Sequence, residues 1–202
     1  MNSSIDVGVF GGTFNPIHNA HLTVAEKAKQ QFELGKVIFV PSKTPPHKRD
    51  QVIPSVEHRY NMVELAITGI NYMEISSIEM ERSGPSYTID TLKEMETDFG
   101  RIAFIVGADN LIQIETWKEP EALLTICPFL VAPRRGYGVK DFQDGIFQGK
   151  DLRFLEMEEI SISSTEIREK YRDGATVDHL VPPSVRSYIE EKGLYTPASF
   201  RV

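Results

Sequence analysis

Two histidines, His18 and His21, stand three residues apart in the stretch IDVGVFGGTFNPIHNAH, just after a Gly-Gly pair. Gly11 and Gly12 allow main-chain N–H groups to approach a ligand closely. A helix beginning near Asn19 adds unsatisfied amides and the positive end of its dipole, and both favour an anion. Imidazoles beside such a place can donate hydrogen bonds to phosphate oxygens and carry charge as it develops. The same residues admit two other readings. One is a tight turn with two packing histidines. The other is a metal site, but zinc on a helix usually takes histidines four apart plus a third ligand. Here the spacing is three and Asn15 is no carboxylate, so the metal reading is the weakest. Neither the G-x-G-x-x-G fingerprint nor the G-K-S/T ending of a P-loop occurs in this loop.

A second constellation lies near the other end, in EEISISSTEIREKYRDG. Ser163 and Glu166 have capping-box spacing, which predicts a helix start. Read alone, this is a cap. Yet Ser163, Ser164 and Thr165 put three hydroxyls at one helix N-terminus, and Arg168 follows about a turn later. Hydroxyls, amides and a guanidinium aimed at one point make a phosphate clamp.

The elements that must position these groups are legible as periodicities. A run over 5–10 reads as a short buried strand, followed by a helical stripe at Leu22, Ala25, Ala28 and Phe32. KVIFVP is a second strand, and Val56, Tyr60, Val63, Ile67 and Ile70 give the next helical stripe. YMEISSIEM alternates with period two and reads as a strand. Ile89, Leu92, Met95 and Phe99 form another stripe, closed by Gly100. RIAFIVG and PFLVA are apolar strands with a helical pattern around WKEPEALLTI between them. Residues 134–149 read as a loop, RFLEM as a last strand, and 163–172 and 183–192 as closing helices. Val37, Phe39, Ile105 and Phe129 belong to the core. Such alternation predicts a parallel sheet with helices on both faces. Ligands bind such sheets beyond the carboxyl ends of the strands, and the GGTFNPIH loop lies at one of those ends.

The chain of 202 residues suffices for one sizeable core. Its net charge of −7 argues against a general grip on nucleic acid. No run is long enough to span a bilayer, and residues 1–10 lack a signal-peptide n-region. Cys127 is the single cysteine, so no internal disulfide forms. These features suggest a cytoplasmic protein with neither nucleic acid nor membrane as partner.

GGTFNPIHNAH together with ISSTEIR resembles the nucleotidyltransferases that carry a histidine pair and an ISSTxxR-like motif. PSKTPPHK, ERSGPSYTIDTL, FIVGADN, TWKEPEAL and VPPSVRSYIEEKGLY narrow the resemblance to the bacterial nicotinate-nucleotide adenylyltransferases. The motifs run in order from about Val7 to Tyr195. The resemblance implies an α/β fold: a Rossmann-like, doubly wound parallel sheet of nucleotidyltransferase type. It implies a single domain, 1–202, whose C-terminal helices (about 163–193) complete the ATP site. The reaction would join ATP and nicotinate mononucleotide to give deamido-NAD and pyrophosphate in NAD biosynthesis. Mg²⁺ would be held mainly by substrate phosphates and water, with no protein ligand.

By the same resemblance His18, His21 and Arg168 are catalytic. Gly11, Gly12, Thr13, Phe14, Gly107, Asp109, Arg134, Ser163, Ser164 and Thr165 would bind ATP. Thr88, Trp117, Tyr87, His47 and Lys48 would bind nicotinate mononucleotide. Three positions depart from the family pattern: Asn15 where Asp is common, Ala20 where Gly is common, and Lys118 where an aromatic residue often follows the tryptophan. Two rival readings accompany this one. A related enzyme could use nicotinamide mononucleotide or phosphopantetheine, and the ATP motifs alone would not separate them. A non-catalytic nucleotide sensor would share the fold, but both histidines are retained here. A homo-oligomer is compatible with the sequence, which leaves the oligomeric state open.

Overall fold

The computed structural model describes residues 5–43 and 53–196. Six parallel strands form one sheet in the order β3-β2-β1-β4-β5-β6. They are β1 (Val7–Gly12), β2 (Lys36–Pro41), β3 (Met73–Ile75), β4 (Ile102–Gly107), β5 (Phe129–Ala132) and β6 (Leu152–Phe154). The chain builds outward from β1 to β3, returns to the centre at β4 and builds outward the other way. The order therefore reverses between β1 and β4, paired from Val7↔Ile102 to Phe10↔Ile105. That reversal opens a crevice at the strands' carboxyl ends.

Both faces of the sheet are covered, because its strands are apolar on both sides. Phe10, Val37, Phe39 and Ile105 point to one face. There they meet α1 (Asn19–Gln31), α2 (Val56–Ile67), α7 (Ser164–Arg172) and α8 (Pro183–Glu191) through Ala25, Ala28, Met62, Val63, Ile167, Val185 and Ile189. Val9, Ile38, Phe104 and Phe129 point to the other. They meet α4 (Thr88–Phe99), α5 (Ala108–Leu111) and α6 (Pro120–Ile126) through Ile89, Leu92, Met95, Leu111 and Leu123. Val37, Phe39, Ile105 and Phe129 are fully buried, as their pattern predicts.

Three local expectations need correction. YMEISSIEM is not one strand: β3 stops at Ile75, and a short helix, α3 (Ile78–Glu81), follows. Ser76 Oγ accepts the Ile78 N–H, and the Ser77 carbonyl accepts from Met80 and Glu81. Serine here supplies local hydrogen bonds that compete with the ladder. Nor does the WKEPEALLTI segment begin helical at Trp117. Glu119 takes a left-handed φ of 50°, and α6 starts only at Pro120. Finally, β1 runs two residues further than expected, so Gly11 and Gly12 still pair with Val40 and Pro41. No helix among the described residues is long and apolar enough to cross a membrane.

Candidate active site

The first loop leaves β1 through Gly12 and turns at once. Phe14 has a φ of 47°, and the Asn15–Pro16 peptide is cis. The fold of the loop back over β1 explains Gly12: a Cβ there would lie 3.0 Å from the Phe14 ring. Arg59 holds the loop from below. The residue is 1% exposed, and its guanidinium donates to the carbonyls of Thr13 (2.8 Å), Pro54 (3.2 Å) and Lys43 (3.2 Å). A buried cation tolerates desolvation only when its donors are met, and here three main-chain segments meet them.

His18 precedes α1 and His21 lies in its first turn. Their rings stack with centroids 3.7 Å apart and planes 22° from parallel. The His18 N–H donates to His21 Nδ1 at 3.2 Å. That nitrogen is thereby an acceptor, and in the neutral ring Nε2 carries the proton. His18 is buried, and its Nδ1 finds no partner among the described residues. Burial first, and then the charge of Arg134, pull its pKa down to about 3. The resting His18 is therefore a neutral hydrogen-bond donor, where the sequence suggested a ready carrier of charge.

The start of α7 packs onto the same loop. Ser163 caps it, accepting the Glu166 N–H at 3.1 Å. Ser164 Oγ donates to the Pro16 carbonyl at 2.9 Å. Arg168 donates to the Asn15 carbonyl at 2.9 Å and to Thr165 Oγ1 at 3.2 Å. These groups thus join the two constellations to each other as well as facing the crevice.

On the β4–β5 side, Gly107 ends its strand where a Cβ would meet Asp109 Oδ1 at 2.5 Å. Asp109 faces Arg134 at 3.5 Å, and Arg134 also donates to the carbonyls of Ile160 and Ile162 at 3.2 and 3.3 Å. At the far end, Thr88 opens α4 and Trp117 packs edge-on to Phe104, with ring centroids 6.4 Å apart. Beneath them lies Glu79, buried, accepting from Thr91 Oγ1 at 2.8 Å. Desolvation raises its pKa, against the pull of the Thr91 and Ser86 hydroxyls and of Arg82.

One cavity of about 560 Å³ connects all of this. Its walls include Gly11, Gly12, Thr13, Phe14, His18, His21, Tyr87, Thr88, Gly107, Asp109, Trp117, Arg134, Ser163, Ser164, Thr165 and Arg168. Every described residue assigned from sequence to the catalytic or binding site therefore faces one space, reached from both halves of the sheet. His47 and Lys48 lie outside the described residues. Sequence reasoning missed Arg59, Glu79 and Tyr195. Arg59 had one available signal: it stands three residues after Val56 and four before Val63, on the buried face of α2.

The cytidylyltransferase-like family model matches residues 9–170. A protein of Moorella thermoacetica named "Probable nicotinate-nucleotide adenylyltransferase" is 41% identical over 199 residues, spanning 95% of this chain and 92% of its own. One of Desulfitobacterium hafniense with the same name is 39% identical over 196 residues, spanning 94% and 95%. Among solved structures, the nicotinic acid mononucleotide adenylyltransferase of Plasmodium falciparum complexed with NaAD superposes with a TM-score of 0.79 at 22% identity, covering 95% of this chain and 97% of its own. At that identity the likeness speaks for the fold, which the six-stranded parallel sheet already displays. The whole-length likeness to the bacterial proteins goes further, and the chain belongs to the nicotinate-nucleotide adenylyltransferase family of cytidylyltransferase-like nucleotidyltransferases.

Proposed function

We propose that the protein transfers the adenylyl group of ATP to nicotinate mononucleotide, giving deamido-NAD and pyrophosphate for NAD biosynthesis. The carrying observation is the single cavity that runs from the His18–His21 pair and the start of α7 to Thr88 and Trp117. Its lining joins the phosphate-binding candidates of both constellations to the Thr88–Trp117 end. The 5′-phosphate oxygen of the mononucleotide attacks the α-phosphorus of ATP in line. A new P–O bond forms, the α–β bridging bond breaks, and its electron pair leaves on pyrophosphate. The nucleophile is already an anion near neutral pH, so no strong general base is required.

The work of the protein is then positioning and charge stabilisation. His21 would donate from Nε2 to the phosphates. His18 would donate as a neutral ring, and the incoming phosphate charge would favour its protonated form. Ser163, Ser164, Thr165 and Arg168 would cradle the triphosphate from the α7 side, while Gly11, Gly12, Thr13 and Phe14 line the loop opposite. Gly107 and Asp109 would hold the adenosine ribose, and Arg134 would lie beside the base. At the other end Trp117 would stack on the pyridine ring with Tyr87 nearby. Thr88 and the α4 amides would receive its carboxylate. Among the described residues no group of three or more His, Cys, Asp or Glu side chains is placed to hold a metal ion. Mg²⁺ would be held mainly by substrate phosphate oxygens and water, where it would offset phosphate repulsion.

The test is pyrophosphate release with ATP and the acid or amide mononucleotide. The two differ only at the pyridine substituent, so the choice falls to the Thr88–Trp117 end. Facing the amide, a carboxylate pocket leaves donors unmatched, at about 1–3 kcal/mol for each buried group. The acid should therefore have at least ~10-fold higher kcat/KM. Thr88→Val should narrow that gap, whereas Trp117→Ala should weaken both substrates together. Equal use of acid and amide by the wild type would defeat the acid assignment.

A further inference from the structure

The corner between Trp117 and Pro120 carries charges that match the start of α4. Lys118 Nζ reaches both carboxylate oxygens of Asp90, at 3.1 and 3.0 Å, and lies 4.9 Å from the centre of the Tyr87 ring. Glu119, of opposite sign, faces Lys93 at 4.0 Å. Asp90 and Lys93 are three residues apart and share one face of α4. The polarity of the two pairs is crossed. A slip that set Lys118 against Lys93, or Glu119 against Asp90, would bring like charges together. The crossed charges therefore favour the observed register of the corner on α4 over one shifted along the helix.

This corner needs holding. Glu119 has a φ of 50°, a left-handed conformation that disfavours any residue with a Cβ. Trp117 lies at the entry to the corner, Thr88 is the first residue of α4, and both line the cavity. Lys118 itself reaches the cavity. The Lys118–Asp90 pair thus ties the corner that carries Trp117 to the first turn of the helix that Thr88 opens. Its side chains are 37% and 36% exposed, so it has little to offer global stability.

We propose that the Lys118–Asp90 pair is a latch that holds Trp117 at a fixed distance from Thr88 and so sets the fit of the pyridine ring. Lys118 is a positioning residue for the mononucleotide. This rests on assigning that end of the cavity to nicotinate mononucleotide.

Trp117 is the only tryptophan, so its fluorescence reports directly on the corner. The experiment compares the full chain with Lys118→Met, Asp90→Asn, their double variant and Lys118→Arg. Nicotinate mononucleotide is titrated against Trp117 emission, and initial rates of pyrophosphate release are measured alongside. Each single variant should raise the dissociation constant and KM for the mononucleotide roughly three- to fivefold, the scale of a partly exposed pair. The kcat and the KM for ATP should hold. The double variant should be no weaker than the singles, since they remove one interaction. Lys118→Arg should restore the wild-type value. Salt at about 0.5 M should raise the wild-type KM by a larger factor than that of Lys118→Met, since screening of the anionic substrate itself acts on both. An unchanged KM in Lys118→Met, or single effects that multiply in the double variant, would overturn the latch while leaving the substrate assignment intact. A wild type that does not turn over nicotinate mononucleotide would overturn the assignment, and the latch with it.

Discussion

Tyr195 donates a 2.7 Å hydrogen bond to Asn15 Oδ1 across 180 positions of sequence, and both side chains are buried. The bond ties the end of the described chain to the loop that carries the histidines. Burial holds the Tyr195 phenol well above the ordinary tyrosine range, so it remains a donor at any working pH. Asn15 in turn offers its carbonyl to Arg168. The neutral amide of Asn15 fits a buried site that offers it a hydroxyl donor.

Tyr195→Phe should therefore do more than remove one contact. It leaves Asn15 Oδ1 buried without its donor, at a cost of about 1–3 kcal/mol. Urea denaturation should show a lower midpoint with an unchanged m-value, and turnover should fall with the loop's order. Equal midpoints in variant and wild type would show that the bond contributes nothing.

His18→Ala and His21→Ala should each leave the fold intact and cut kcat by ~10²–10³, the usual cost of one lost transition-state donor. The stacked rings make the two losses coupled, so the double variant should fall short of their product. Rapid-quench turnover on variants with wild-type circular dichroism measures this. Near-normal rates in both single variants would remove the histidines from the mechanism.

The depressed pKa of His18 makes stability depend on acid. Its folded value, about 3, lies below the unfolded value of 6.5, so the unfolded chain binds the extra proton between them. The contribution is fully present above 6.5 and is lost as pH falls towards 3. Linkage gives a loss of ~3 kcal/mol by pH 4 from this one residue. His18→Asn should flatten the slope of unfolding free energy between pH 6.5 and 4. Parallel slopes in variant and wild type would contradict the burial of a neutral ring.

Arg168→Ala should weaken the handling of ATP, because it removes a charged phosphate partner and the tie to the Asn15 carbonyl together. The Ser163 cap does not depend on that guanidinium and should keep α7 formed. Initial rates over a range of ATP, with circular dichroism as the folding control, should show a raised KM for ATP and a lowered kcat. Unchanged ATP dependence and turnover would contradict the clamp.

By itself the sequence determined what depends on near neighbours. Gly-Gly at a strand end, a helix beginning at Asn19 and the Ser163 cap are local, because turn, cap and period are set within a few residues. The strand–helix alternation then constrained the parallel sheet and the end at which a ligand sits. Only the tertiary structure decided the rest. The spacing of Arg59 from Val56 and Val63 puts it on the buried face of its helix, but only the fold brings the Thr13, Pro54 and Lys43 carbonyls to it. Lys118 departs from a motif until α4 presents Asp90. His18 is an ordinary histidine in sequence, and its neutrality comes from burial and from Arg134, 116 positions away. Desolvation and charge are sums over groups that the fold collects from distant parts of the chain, so no short window of sequence contains them.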